Sequence, residues 1–226
     1  MVAQTRTGGQ SPKKLQFRDK LLSKGITTDA LLKKLKALYT ELSGMDQEHV
    51  DVQSLSSVRK DLISRTILLH KDRGVKAYAA NCLAEILRLY APDAPYTQPE
   101  LRDIFQFLFK QLSAGFAESV TTYYSEYFHL LDCLATVKSV VLVCDLPDAD
   151  SIMAEIFRSL FDTVRRNLPR KLELFMADIL VALIDECQNL PQDVLEVLMA
   201  QFMDKKGVSS PLDITLTVYS TVRITD

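Results

Sequence analysis

Two groups of residues have the types and spacing that metal chemistry needs. His129 and Cys133 stand four apart, which on a helix puts two ligating side chains on one face. Zinc requires further ligands, and no nearby pair supplies them. The expected arrangement is a packed thiol beside a hydrogen-bonded histidine. Asp145, Asp148 and Asp150 resemble the start of a calcium loop, but Asp150 and Ile156 stand where that motif needs its glycine and terminal glutamate. These aspartates are expected to cap the next helix and to favour its positive end. His49 and His70 have no carboxylate, serine or cysteine partner at a telling spacing. A Gly-rich phosphate loop, an H-E-x-x-H motif and a nucleophile elbow are all missing. The chain reads as a protein without catalysis, cofactor, metal or small-molecule substrate.

Three features suit binding instead. Arg165, Arg166, Arg170 and Lys171 cluster at a turn between helices, where guanidiniums can grip phosphate or carboxylate groups. Ser11-Pro12-Lys13-Lys14 resembles a cyclin-dependent-kinase site, with Ser11 as the acceptor, and such basic arms can also lie along DNA. The third is YAPDAPYTQPE, residues 90–100, with three of the eight prolines. Pro92 and Pro95 fix φ and push Ala91 and Ala94 towards extended geometry. A ledge from Ala91 to Pro95 with Asp93 as its charge and Tyr96 as its ring would suit a peptide bearing arginine or an aromatic residue. The plainer reading is a rigid corner between helices.

The elements that must position these residues are helical. Glycine numbers only seven and tryptophan is absent, so few tight turns are available, and the dominant residues are good helix formers. Thr28-Asp29 can cap a helix to about Ser43, with Gly44 as its terminator. A block from Asp51 to His70 follows. Asp72 then caps a helix in which Val75, Ala79, Cys82, Ile86 and Leu89 form one stripe. Thr97 with Glu100 is a capping box, and Pro99 sits in the first turn of a helix that stops near Gly115. Further blocks span about 121–144, 150–166, 169–187 and 192–204.

About eight helices joined by short proline- or glycine-marked turns predict an all-α fold of stacked antiparallel helix pairs, an α-solenoid. DRGVKAYAANCLAEILRLYAP resembles the inner helix of a HEAT repeat. Residues 1–24 read as a basic, disordered arm, 25–206 as the helical domain and 207–226 as a tail of strand-like alternation. Residues 1–36 hold nine Lys/Arg against two Asp, a net +7, which leaves −9 of the overall −2 for the rest. That asymmetry suits an acidic partner, nucleic acid or protein. The four cysteines are scattered without a C-x-x-C pair and read as free thiols of a reducing compartment. The longest apolar runs are too short to span a membrane.

CLAEILRLYAPDAPYTQPELRDIFQFLFKQL resembles the N-terminal region of the cohesin-associated Pds (precocious dissociation of sisters) family, the fifth of the proteins so named. APDAP followed by Tyr-Thr is that family's most specific signature. LLHKDRGVKAYAANCLAEILRLYAPDAPYT, YFHLLDCLATVKS and LPDADSIMAEIFRSLFDTVRRN follow in the expected order. The resemblance implies a nuclear, chromatin-associated HEAT-repeat scaffold that regulates the cohesin ring in sister-chromatid cohesion. The partners it implies are the kleisin subunit, the wings-apart-like protein and the cohesin acetyltransferase. The APDAP region, here Ala91 to Pro95, is implied to dock short motifs of these regulators. The family is far longer than this chain, so a truncated product, or a gene model read into non-coding sequence, is expected, with marginal solubility or self-association through an uncapped apolar face. Two other classes remain open: a nucleic-acid-binding helical protein using its basic arm, and an unrelated α-solenoid adaptor.

Overall fold

The helix that carries HEAT-like character shows how the fold is assembled. In the computed structural model the Asp72 side chain accepts from the Val75 amide at 2.8 Å, opening a helix over Arg73–Tyr90 whose apolar stripe is wholly buried. The structure describes residues 12–117, 122–164, 168–187 and 189–203. In chain order the helices are α1 (Thr28–Ser43), α2 (Ser56–Leu62), α3 (Arg65–Leu68), α4 (Arg73–Tyr90), α5 (Gln98–Gly115), α6 (Tyr124–Val137), α7 (Ala149–Val164), α8 (Arg170–Glu186) and α9 (Gln192–Met203).

Contacts sort them into two layers. α1, α4, α6 and α8 lie side by side in one; α5, α7 and α9 form the other, with α2 and α3 packed on α4 ahead of them. Across the layers α5 leans on α4 and α6, and α7 on α8, so one cluster of buried side chains runs between them. Phe105, Phe157, Phe161, Leu31, Leu35 and Leu38 are all fully buried there. This is the all-α solenoid of stacked helix pairs that the block pattern implies.

Three stretches depart from the sequence expectation. The block 51–70 is no single helix: it is a 3-10 turn over Val52–Leu55, then α2, then α3, separated where Ser64 adopts extended geometry (ψ 144°). The block 121–144 breaks at Lys138, whose left-handed φ of 56° ends α6 and redirects the chain into a 3-10 segment over Ser139–Asp145. Gly44 closes α1 with an ordinary φ of −89°, so its role there does not depend on left-handed freedom.

The basic arm is the third departure. Over 12–24 the chain lies against the body: Lys13 forms a parallel bridge with Val50, donating to the His49 carbonyl at 2.6 Å and accepting from the Asp51 amide at 2.9 Å. Leu15 and Leu21 are buried, and the Lys34 ammonium donates to the Lys20 carbonyl at 2.6 Å. The charge pattern suggested a solvated tail, but the leucines between the charges have apolar area to bury and anchor the segment. The strand-like tail and Ser11 lie outside the described residues.

Candidate functional site

The proline joint lies where α4 hands over to α5, and it is pinned from a part of the chain some forty residues earlier. The Tyr90 hydroxyl donates to the Val52 carbonyl at 2.8 Å. The Gln47 side-chain amide donates to the Ala91 carbonyl at 2.6 Å, and Arg59 Nη1 donates to the Pro95 carbonyl. The Tyr96 hydroxyl returns a bond to the Arg59 carbonyl at 3.3 Å. Thr97 and Glu100 then form the capping box, the amide and hydroxyl of Thr97 both donating to Glu100 Oε2 at 2.8 and 2.9 Å.

The result is an extended turn with a fixed backbone and an exposed tip. Ala91 has φ −53° and ψ 143°, and the Ala91–Pro92 peptide is cis. Pro92 and Asp93 are exposed, and Ala91, Ala94 and Pro95 are half-buried. Asp93 makes no ion pair or side-chain hydrogen bond among the described residues, so its carboxylate is open to a partner.

Tyr96 is a correction. Only 8% of it is exposed, and burial drives its hydroxyl pKa far up. It is a core residue that anchors the ledge, with its hydroxyl bonded to the backbone of α2. Nor did the sequence mark Gln47 or Arg59 as parts of the joint, or Val52 as the partner of Tyr90. Their separations of 36 to 44 residues from the groups they hold leave no periodic signal. Burial likewise raises the Tyr90 hydroxyl, while Arg59 beside it acts the other way.

Behind the joint, Glu85 organises a second polar cluster that sequence reasoning also missed. Its side chain is 4% exposed. It accepts from Arg88 Nε at 2.6 Å and from His129 Nε2 at 3.3 Å, and Arg88 Nη2 donates to the carbonyls of Leu42 and Met45 at 3.1 and 3.0 Å. Burial would raise the Glu85 carboxyl, but the bonds from His129 and Arg88 prevail and hold it below the usual carboxylate range. The bond to Glu85 raises His129 above its ordinary value, against the opposing effect of burial. The end of α1, α4 and α6 are thereby tied together at one buried carboxylate.

His129 thus spends its ring nitrogen on Glu85. Cys133 is half-buried, and burial pushes its thiol up to about 12. Among the described residues no group of His, Cys, Asp and Glu is arranged to hold a metal ion. Asp148 pairs with Arg102 of α5 at 3.3 Å, and its backbone carbonyl takes the Ile152 amide at 3.1 Å. His49 does have a carboxylate partner, Asp46 at 2.8 Å, three residues earlier on an exposed turn.

The cationic cluster at 165–171 divides. Arg165 and Arg166 lie outside the described residues. Arg170 Nη1 stands 3.3 Å from the buried Glu173 carboxylate, and Lys171 Nζ rests over the rings of Phe128 and Phe175 at 4.9 and 5.4 Å. Both described cations are engaged with α8 and α6. On the arm, Lys13 Nζ donates to the Gly44 carbonyl at 3.2 Å and Lys14 stands 3.9 Å from Asp51, so these lysines also face the protein.

Comparison with known proteins bears on the chain as a whole. Residues 29–219 match the sister chromatid cohesion protein PDS5 family. The sister chromatid cohesion protein pds5 of Schizosaccharomyces pombe is 39% identical over 198 residues, 86% of this chain and 16% of that protein. The human PDS5 homolog A is 34% identical over 176 residues, 77% of this chain and 13% of that protein. The chain therefore spans about one sixth or less of the length of the curated relatives it matches. A solved structure described as the Pds5–Scc1 complex superposes with a TM-score of 0.85 and 31% identity, covering 96% of this chain and 34% of that one.

Proposed function

From the premise that the chain belongs to the sister chromatid cohesion protein PDS5 family, we propose that it is a non-catalytic helical scaffold of cohesin regulation whose proline joint docks a short segment of a regulator. The observation that carries this reading is the open Asp93 carboxylate on a backbone pinned by Gln47, Arg59, Tyr90 and Tyr96. A peptide that lies on such a ledge orders little of the scaffold, so more of its contact energy remains as affinity. Pro92 and Asp93 supply an apolar edge beside a carboxylate, which suits a segment with an arginine next to an aromatic residue.

The regulator is the wings-apart-like protein. The cohesin acetyltransferase and the kleisin subunit are further partners of the scaffold, and chromatin in the nucleus is its place of action. The kleisin reading is supported by the relative whose structure is a complex with Scc1. This chain covers a third of that relative, so the reading extends to whatever part of the kleisin surface falls within it.

The test is fluorescence polarisation of a labelled peptide from the wings-apart-like protein of the same organism, titrated with the full chain and with Asp93→Lys. Micromolar binding that weakens at least tenfold on charge reversal, with unchanged circular dichroism, is expected. A well-folded chain that does not bind, or an Asp93→Lys variant that binds equally, would return the joint to a corner between two helices.

A further inference from the structure

The outer layer is incomplete ahead of α5. α5 and α7 have 18 and 16 residues, whereas α2 and α3 have seven and four. α5 packs on α7 and α7 on α9, but α3 and α5 share no interface of that extent. What remains between α3, α5 and α7 is an open groove of about 990 Å³. Its floor includes Phe105, Phe109, Ile152 and Ile156, and the rim carries Leu69, which is 74% exposed.

The charges around this groove are unevenly matched. Arg65 of α3, Lys76 of α4 and Lys110 of α5 line it, and none of the three has a side-chain hydrogen bond or ion pair among the described residues. Lys71 borders an adjoining depression that shares Arg65 and Leu69. The two carboxylates on the groove are already engaged: Glu155 accepts from Gln106 at 3.4 Å and Asp103 stands 3.9 Å from Arg102. Asp103 lies two turns before Lys110 along α5, about 10 Å away.

We propose that this groove is a second docking surface, independent of the proline joint, for an acidic peptide segment of a partner that inserts one bulky apolar side chain beside Leu69 and lays carboxylates against Arg65, Lys76 and Lys110. Cations from three different elements line one apolar trough, and an acidic amphipathic segment complements both properties. Nucleic acid matches less well, because its evenly spaced phosphates would also meet Asp103 and Glu155, whereas a peptide can carry its carboxylates only where the cations stand and place an apolar side chain on the floor. The volume is that of a site for a few side chains, so the segment is short.

The experiment selects a displayed library of random 12-residue peptides on the full chain, with depletion on a Lys76→Glu/Lys110→Glu variant. Enriched sequences should pair Asp or Glu with one large apolar residue. In fluorescence polarisation the leading peptide should bind the double variant at least tenfold more weakly and Leu69→Ser about threefold more weakly. It should bind Asp93→Lys unchanged. A version with its acids replaced by lysine should regain binding to the double variant. Thermal melts by circular dichroism confirm that the variants are folded. Enrichment without acidic residues, or binding indifferent to Lys76 and Lys110, would overturn the proposal. So would displacement of the peptide by a 20-base-pair DNA duplex that depends on the same lysines and binds more tightly.

Discussion

Arg59→Ala is the perturbation that best separates the shape of the ledge from its exposed chemistry. The guanidinium reaches from α2 to the Pro95 carbonyl, and the Arg59 backbone takes the Tyr96 hydroxyl. The substitution replaces none of Ala91 to Pro95, so every group a peptide could contact is still present. A hydrogen bond to a charged donor contributes roughly 1.5–3 kcal/mol. Arg59 is only half-buried, which favours the lower end, about 1.5 kcal/mol. For a chain of this size each kcal/mol moves Tm by about 2–4 °C, so the melt should fall by about 3–6 °C. If the freed turn must be re-ordered on binding at a cost of about 1 kcal/mol, affinity drops about fivefold. The assay is the peptide titration described for Asp93→Lys, run beside a thermal melt. A lowered Tm with unchanged affinity would refute the argument that a pinned backbone matters for docking. Unchanged Tm and affinity together would show that the Arg59–Pro95 contact contributes nothing.

Two further outcomes follow from the packing and the charges. His129 is raised above 6.5 in the folded chain, so its contribution is full below about pH 6.5 and is lost as pH rises through the folded value; Glu85 is lowered below 4.5, so its contribution is full above that and is lost on acidification. The His129 side chain is 42% exposed and screened by solvent, so the pair is worth roughly 0.2–1 kcal/mol. Tm should decline by about 1–3 °C between pH 6 and pH 8, and a His129→Gln variant that keeps the same alkaline slope would count against the pairing. Gly115→Ala should destabilise by about 1–3 kcal/mol, because a Cβ there would overlap the buried Tyr127 ring. Chemical denaturation would read this, and a neutral or stabilising result would mean that the α5–α6 contact is looser than described.

Local signals and long-range contacts contributed differently to what could be read. The capping box at Thr97 and Glu100, the Asp72 cap and the apolar stripe of α4 are arrangements within four residues or a few turns, so the sequence states them directly. The break of the block 51–70 into short pieces was harder to see. Its apolar residues still fall at helical intervals, and α2 is parted from α3 by a single residue, Ser64, that takes extended geometry. Gly115 looked like a stop signal, and it does end α5. The reason it is glycine lies in Tyr127, which packs where a Cβ would go.

The sequence by itself determined the helical class, the positions of most caps, the family and the break in helix from Ala91 to Pro95, since each rests on neighbouring residues or on an order of motifs. It also placed Asp93 where a partner can reach it. Tertiary structure alone decided that Tyr96 turns inward, that Gln47, Arg59 and Tyr90 pin the ledge, and that Glu85 ties three helices through Arg88 and His129. It alone opened the groove between α3 and α5. Those outcomes depend on which parts of the chain meet across 36 to 46 residues. A side chain's partner at that distance is set by how layers stack, and the spacing of residues along the chain does not encode it.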